Sequence, residues 1–183
     1  IYSLDFTNVL QQHIESKSDI TVLYTNTAEA KEHFLDCDTL TMDKDKRITE
    51  IGRNRGKRKN ASISLEAYVL SKKLFIDLVK KASETSSLYW FRDILNDSLE
   101  ELTVTGYGIK GFVGCINSLS EYFRITMALS DRATAKGLFK PGWPIYTQTN
   151  DSAPTIYGKT SDVCGSVIAN GCVIEGTVAD SVV

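Results

Sequence analysis

The C-terminal segment of the chain repeats small and apolar residues every six positions. Two series in SVIANGCVIEGTVADSVV carry this period: Ser166, Cys172 and Val178 in the first, Ile168 and Ile174 in the second. A six-residue apolar period is typical of a parallel β-helix, in which each side of a triangular coil takes one hexapeptide. The repeat is short, and it places Asp180 where another aliphatic residue is expected. A pair of ordinary strands joined by glycine turns is therefore the alternative interpretation.

The residues before this repeat have the pattern of one mixed α/β unit. Four apolar residues recur at helical spacing near the N-terminus: Phe6, Val9, Leu10 and Ile14. DITVLYTN then predicts a buried strand, TLTMD and RITEI predict a hairpin, and ISLEAYVL and LTVTGYGIKGFVG predict further strands. Helices are predicted in KKLFIDLVKKA, in LYWFRDILNDSL and in NSLSEYFRITMALSD, which opens with the capping-box residues Ser118 and Glu121.

The composition changes after Asp131. All three prolines of the chain, Pro141, Pro144 and Pro154, follow it in a stretch without a sustained period. Such a stretch is typical of a connector that runs along a surface. The sequence thus predicts an α/β domain over residues 1–131, a connector over 132–160, and the first coil of a β-helix over 161–183.

Charge and composition exclude several classes of protein. The formal net charge is −2, which is not the basic footprint of a nucleic-acid-binding domain. No run reaches the roughly 18 apolar residues of a membrane span, and no secretory signal is present, so we predict a cytoplasmic protein without a membrane partner. The cysteines are too scattered for a zinc site or a disulfide framework. They are Cys37, Cys115, Cys164 and Cys172.

One local stretch, EIGRNRGKRKN, is nevertheless strongly basic, with five cationic residues between Gly52 and Asn60. It lacks the interleaved aromatic residues of a nucleic-acid-binding surface and the order of a P-loop. Because it lies between two predicted strands, we expect a mobile, solvated loop. Its charge also suits a phosphate or the acidic surface of a partner.

Several segments, in order along the whole chain, resemble the bacterial glucose-1-phosphate adenylyltransferases, the ADP-glucose pyrophosphorylases. IYSLDFTNVLQQHIES resembles that family's Ile-Tyr-x-Met-Asp-Tyr-x-x-Met-Leu-x-x-His, SLEAYVL its Ser-Met-Gly-Ile-Tyr-Val-Phe strand, and SLSEYFRITMAL its Leu-x-x-Tyr-Trp-x-Ala-Asn-x-x-Leu helix. GWPIYT is similar to Asn-Trp-Pro-Ile-x-Thr at the family's domain junction. GWPIYT followed by the hexapeptide coil is the most specific part of the resemblance.

The resemblance implies the C-terminal part of a Rossmann-like nucleotidyltransferase domain with a mixed sheet, followed by the start of a left-handed parallel β-helix. The family works as a tetramer and transfers AMP from ATP to glucose 1-phosphate, releasing pyrophosphate. Two anions must approach each other in this reaction, so carboxylate-held Mg²⁺ and cationic side chains offset their charge. ATP and Mg²⁺ are the family's cofactors. Its ATP loop lies upstream of the matching segments, so we expect no cofactor in this fragment.

The chain departs from the family at two functional positions. Active members carry Glu-Lys-Pro, with the Lys on the sugar phosphate, where this chain has Arg53, Asn54 and Arg55. A metal-binding Asp is replaced by Cys115, whose thiol is a poor ligand for Mg²⁺. Ser64 matches a family Ser that touches the sugar phosphate, although a strand Ser turned to solvent is the alternative.

These departures predict a vestigial sugar-phosphate pocket at Arg53, Asn54 and Ser64, with no catalytic residue and no metal ligand. The predicted function is that of the non-catalytic, GlgD-type regulatory subunit, which pairs with a catalytic homologue in a mixed tetramer and could respond to a sugar-phosphate effector. An active adenylyltransferase is the alternative.

Other conspicuous residues are expected to be structural. His13 is predicted to pack on the first helix, and His33 is not expected to act as a base. Asp93 is predicted to form a salt bridge on a helix surface. The aromatic cluster is expected to fill a core or an interface rather than to stack a base; it comprises Tyr89, Trp90 and Phe91.

Overall fold

A computed structural model describes residues 1–148 and 151–183 and divides the chain into two compact units. One unit is residues 4–110, and the other joins residues 1–3 to 111–183. In the second unit Tyr2 pairs with Val113, and the Gly114 amide donates to the Ile1 carbonyl oxygen at 2.9 Å. This pairing attaches the first residues to the later unit, whereas the sequence placed its first boundary at residue 131.

The unit of residues 4–110 is a five-stranded sheet with helices. Its elements are α1 (Thr7–Ser16), β1 (Ile20–Thr27), β2 (Asp38–Met42), β3 (Ile48–Arg53), β4 (Ala61–Leu70), α2 (Lys72–Thr85), α3 (Phe91–Asp97) and β5 (Val104–Gly108). The strand order is β3-β2-β4-β1-β5. The β1 and β5 strands are parallel and the remaining pairs are antiparallel, so the mixed α/β sheet predicted from the sequence is confirmed.

The core of this unit lies where β1 and its neighbours meet α2 and α3. Ile20, Val22 and Leu23 of β1 are fully buried, as a central strand with neighbours on both edges requires. Leu78 of α2 and Leu95 of α3 pack into the same cluster as Ile20. Each such side chain contributes about 1.5–3 kcal/mol when it leaves water, so this cluster stabilises the sheet against α2 and α3.

The first helix is less buried than its apolar spacing suggests. Of its apolar residues only Val9 is buried, while Phe6, Leu10 and Ile14 are all at least 43% exposed. His13 has the structural role that was predicted: its Nδ1 lies 2.8 Å from the hydroxyl of the buried Thr21.

The unit of residues 1–3 and 111–183 begins with helices and ends in short strands. It contains α4 (Leu119–Ala128), α5 (Arg132–Leu138), β6 (Ile156–Tyr157), β7 (Asp162–Cys164), β8 (Val173–Ile174) and β9 (Thr177–Ala179). Ser118 caps α4 as predicted, since its hydroxyl accepts from the Glu121 amide at 3.1 Å. The predicted connector begins with a helix, α5, because Asp131 caps the Thr134 amide and Leu138 is buried.

The short strands pair in parallel with segments 15 to 17 residues further along the chain. The pairs are Ile156 with Val173, Asp162 with Thr177, and Val167 with Val182. The residues of the six-residue series, including Ile174 at 6% exposure, are buried or half-buried, whereas the intervening Val173 is 64% exposed. Asp180 takes a positive φ of 45° beside Gly165, so it occupies a turn rather than an inward position.

None of the helices in residues 1–148 and 151–183 has the length and apolar content that a membrane crossing needs.

Candidate functional site

Asn54, in the basic stretch, is buried and ties two segments together. Its side-chain amide donates to the carbonyl oxygens of Ala30 at 2.7 Å and Phe34 at 2.8 Å, and its Oδ1 accepts from the Gly56 amide at 3.0 Å. Only 5% of Asn54 is exposed. The expectation of a solvated loop is therefore wrong at this position, because an amide that satisfies buried carbonyls belongs to the interior.

The segment that Asn54 holds, between β1 and β2, has a strained backbone. Phe34 and Asp36 have φ angles of 57° and 62°, a region that side chains with a Cβ rarely adopt. Gly56 also has a positive φ, and a Cβ there would lie 3.1 Å from the Lys31 carbonyl oxygen. These conformations bring the turn after β3 against the segment before β2.

Asp36 lies between two arginines of the basic stretch. Its Oδ1 is 2.8 Å from Nη1 of Arg55 and 3.3 Å from Nε of Arg53, and the Arg53 Nε also donates to the Asp36 carbonyl oxygen at 3.1 Å. All three side chains are about half exposed or more. Ion pairs this exposed contribute about 0.2–1 kcal/mol each, so they orient the arginines without adding much stability.

A basic groove of about 330 Å³ runs along the β2–β3 hairpin and the turn after it. Four cationic residues line this groove: Arg53, Arg55, Lys57 and Arg58. Glu50 lines it as well. A concave surface with this charge attracts anions, and guanidinium groups bind phosphate oxygens in a bidentate manner.

A second cleft of about 330 Å³ lies beside β4 and the start of α3. It combines aromatic and charged side chains: Tyr68, Trp90, Phe91, Asp36, Asp38, Glu66, Arg53 and Arg92. The sequence did not predict this cleft. One signal was available, because Glu66 has a φ of 53° at the place of the glycine in the family's Ser-Met-Gly motif.

Arg92 of the second cleft is paired with two carboxylates, of which Asp38 also lines the cleft. Arg92 lies 3.2 Å from Asp38 and 2.8 Å from Asp93, and its hydrogen bond holds the pKa of Asp93 below the usual range. The salt bridge predicted for Asp93 is thus confirmed. Burial raises the pKa of Tyr68 to about 12, although a hydrogen bond with Ser64 opposes this rise.

The aromatic residues next to this cleft divide between core and surface. Phe91 packs edge-on against Tyr68 with ring centroids 5.0 Å apart, and Tyr89 packs against the core of the sheet. Trp90 is 73% exposed and so does not fill a core within this chain. The prediction that an aromatic residue here fills an interface is untested for Trp90.

Ser64 is not turned to solvent, since only 6% of it is exposed. Its hydroxyl accepts from the Glu66 amide at 3.2 Å. Of the described residues, Arg53 lines both clefts, Asn54 lines the basic groove, and Ser64 lines neither. The structure therefore brings Arg53 and Asn54 together. Ser64 instead bonds within its own strand, β4, which also carries Tyr68.

Within residues 1–148 and 151–183, no group of three or more His, Cys, Asp or Glu side chains is arranged to hold a metal ion. Cys115 is half-buried in the second unit, in a stretch without regular secondary structure. A thiol does not supply the hard oxygen ligand that Mg²⁺ prefers. The described residues therefore do not fit a Mg²⁺ site.

Comparison with known proteins found relatives along the whole chain, although no family model matches it. It is 34% identical over 182 residues to the glycogen biosynthesis protein GlgD of Geobacillus stearothermophilus, covering 100% of this chain and 43% of the relative. The match to GlgD of Bacillus subtilis is 34% over 119 residues, covering 65% of the chain and 34% of the relative. Glucose-1-phosphate adenylyltransferase of Thiobacillus denitrificans is 27% identical over 198 residues, covering 96% and 44%. The chain thus spans less than half the length of these relatives.

Proposed function

We propose a function from the premise that this chain belongs, over its 183 residues, to the family of GlgD glycogen biosynthesis proteins and glucose-1-phosphate adenylyltransferases. The proposed function is that of part of a regulatory subunit of ADP-glucose pyrophosphorylase, acting in glycogen biosynthesis. This subunit is non-catalytic or weakly active. It works in the cytoplasm and binds neither nucleic acid nor membrane.

One observation carries this proposal. Asn54 stands where the resemblance implies the lysine that holds the sugar phosphate, and its amide is already bonded to Ala30 and Phe34. A buried amide with these partners offers neither charge nor a free donor to a substrate. The position has a structural role in this chain. The proposed vestigial pocket therefore lacks its central cation at Asn54, keeps Arg53, and is not lined by Ser64.

The C-terminal unit is proposed to begin a left-handed parallel β-helix. The parallel pairs of β6 with β8 and of β7 with β9 support it, as does the inward series that ends at Val178. Further coils in the full-length protein would cover the open edges of these strands, because an unpaired edge leaves backbone hydrogen-bonding groups without partners.

The proposed partner is a catalytic homologue in a mixed tetramer, which supplies ATP and Mg²⁺ chemistry. A regulatory subunit changes its partner's activity only if it binds the active and the less active state with different free energies. A sugar phosphate bound by the regulatory subunit would act as an effector through that same difference.

The test is to mix the full-length protein with its catalytic homologue at varied ratios and to measure the maximal rate and the half-saturating effector concentration. We expect a change in one of these quantities that saturates at a fixed ratio of subunits. A heat-unfolded sample of the protein is the control. Kinetics that stay constant at all ratios, with a mixed tetramer present by sedimentation, would contradict a regulatory role.

An active adenylyltransferase is the second candidate, because the basic groove keeps Arg53 and Arg55 beside Asn54 and arginine also binds phosphate. This candidate predicts Mg²⁺-dependent release of pyrophosphate by the full-length protein alone. Absence of turnover at enzyme concentrations that detect a weak catalyst would remove it.

A further inference from the structure

Two arginines of the basic groove are paired with the carboxylate of Asp36, a residue that lines the second cleft rather than the groove. The Asp36 carboxylate is bonded to Arg55 at 2.8 Å and is 3.3 Å from Arg53, two of the four cations that line the groove. The guanidinium groups are therefore oriented toward a carboxylate of the chain itself.

A backbone hydrogen bond, in addition to the ion pairs of its side chain, holds Asp36 in this place. Its amide donates to the Asn54 carbonyl oxygen at 2.9 Å, and Asn54 donates in return to the carbonyls of the preceding turn. Asp36 has a positive φ, and in this conformation its amide is bonded to Asn54 while its carboxylate faces Arg53 and Arg55. Strained conformations of this kind persist where surrounding contacts fix them, and they often serve a function.

We propose that Asp36 is an autoinhibitory occupant of an anion site formed by Arg53 and Arg55, and that phosphate or sulfate binds these arginines only by displacing its carboxylate. This rests on the proposed function and deepens it, because it gives the basic groove a means of regulating the binding of a phosphate group. Displacing the carboxylate costs little free energy, because all three side chains are about half exposed or more. Lys57 and Arg58 line the same groove and add attraction for the incoming anion.

The test uses Asp36→Asn in the full-length protein, titrated with inorganic phosphate at constant ionic strength. Asparagine tolerates a positive φ better than most residues, so the backbone at residue 36 is retained. We expect the variant to bind phosphate about two- to thirtyfold tighter than the natural protein, the range given by two exposed ion pairs. Asp36→Asn combined with Arg55→Gln should lose the gain.

The matched control is Asp77→Asn, which makes the same change in net charge on the exposed surface of α2. It should bind phosphate like the natural protein. Equal affinities of Asp36→Asn and the natural protein would overturn the proposal, as would an equal gain in the Asp77→Asn control.

A second measurement serves if Asp36→Asn does not fold. The Nε–Hε signals of Arg53 and Arg55 in the natural protein are followed by nuclear magnetic resonance during a sulfate titration. Saturable shifts of both signals support displacement, and shifts that are absent or equal to those of the exposed Arg132 contradict it. Because neither measurement involves catalysis or a partner subunit, failure here leaves the regulatory proposal standing.

Discussion

The side-chain amide of Asn54 donates a hydrogen bond of 2.8 Å to the carbonyl oxygen of Phe34, a residue with a φ of 57°. This bond connects the end of β3 to the strained segment before β2, and it is buried. The turn that carries the arginines of the basic groove and the segment that carries Asp36 therefore depend on one side chain.

Replacement of Asn54 by alanine is expected to lower the free energy of unfolding by about 1–3 kcal/mol, because it removes the Asn54 donor from the buried Ala30 carbonyl oxygen and leaves the Phe34 carbonyl oxygen only the Cys37 amide at 3.3 Å. Asn54→Lys should cost more, since it adds an unpaired charge. Urea denaturation measures both values. The control is Asn60→Ala at an exposed position of the same stretch; equal stabilities of the two alanine variants would show that the bonds of Asn54 do not support the fold.

The stability of the protein should decrease in alkaline solution through Tyr68. Its pKa is raised to about 12 in the folded chain by burial, above the ordinary value of about 10. Because the pKa is raised on folding, the contribution of the neutral Tyr68 hydroxyl to the unfolding free energy is complete below about pH 10. This contribution is lost as the pH rises toward 12, by at most about 2 kcal/mol. The difference in unfolding free energy between the natural protein and Tyr68→Phe, followed from pH 9 upward, should shift in favour of the variant. A constant difference would show that Tyr68 titrates normally.

Replacement of Ser118 by alanine is expected to destabilise α4 by about 1 kcal/mol, because the Glu121 amide loses the hydroxyl that caps it. Ser120→Ala, two residues further at an exposed site of the same helix, is the control and should be neutral or slightly stabilising. Thermal unfolding of both variants measures the difference, and an effect of Ser120→Ala as large as that of Ser118→Ala would refute the cap.

The adjacent residues Ile174 and Val173 test the inward series of the C-terminal unit. Ile174→Asp places a charge at a buried position and should cost about 3 kcal/mol or more, whereas Val173→Asp lies on the exposed side and should cost little. Hydrogen exchange of the Gly158 amide, which donates to the Ile174 carbonyl oxygen at 2.9 Å, reports this unit. Similar loss of protection in the two variants would contradict the assignment of faces.

Local sequence predicted the elements of the sheet well, because periodicity and capping act between neighbouring residues. The hairpin of β2 and β3, the α2 helix and the Ser118 cap were all predicted and are present. The burial of α1 was overestimated, since an apolar stripe at helical spacing does not show whether anything packs against it.

The candidate site was predicted only in part. The sequence identified Arg53, Asn54 and Ser64 by their positions in a family pattern, but not their environments. It treated Asn54 as an exposed loop residue and Ser64 as a pocket or solvent-facing residue, and both are buried and bonded. The charged and aromatic cleft around Tyr68 and Arg92 was not predicted, because its members come from strands and a helix far apart in the chain.

The sequence by itself determined most of the helices and strands of residues 4–110, the inward series of the C-terminal repeat, and the family of the chain, but not the α5 helix. These follow from interactions over a few residues and from residue identities. Only the tertiary structure decided that Asn54 bonds to Ala30 and Phe34 and that Asp36 faces Arg53 and Arg55. Such pairs lie 17 to 24 residues apart, and they form because sheet register and positive φ angles bring two turns together, which no local pattern of residues specifies.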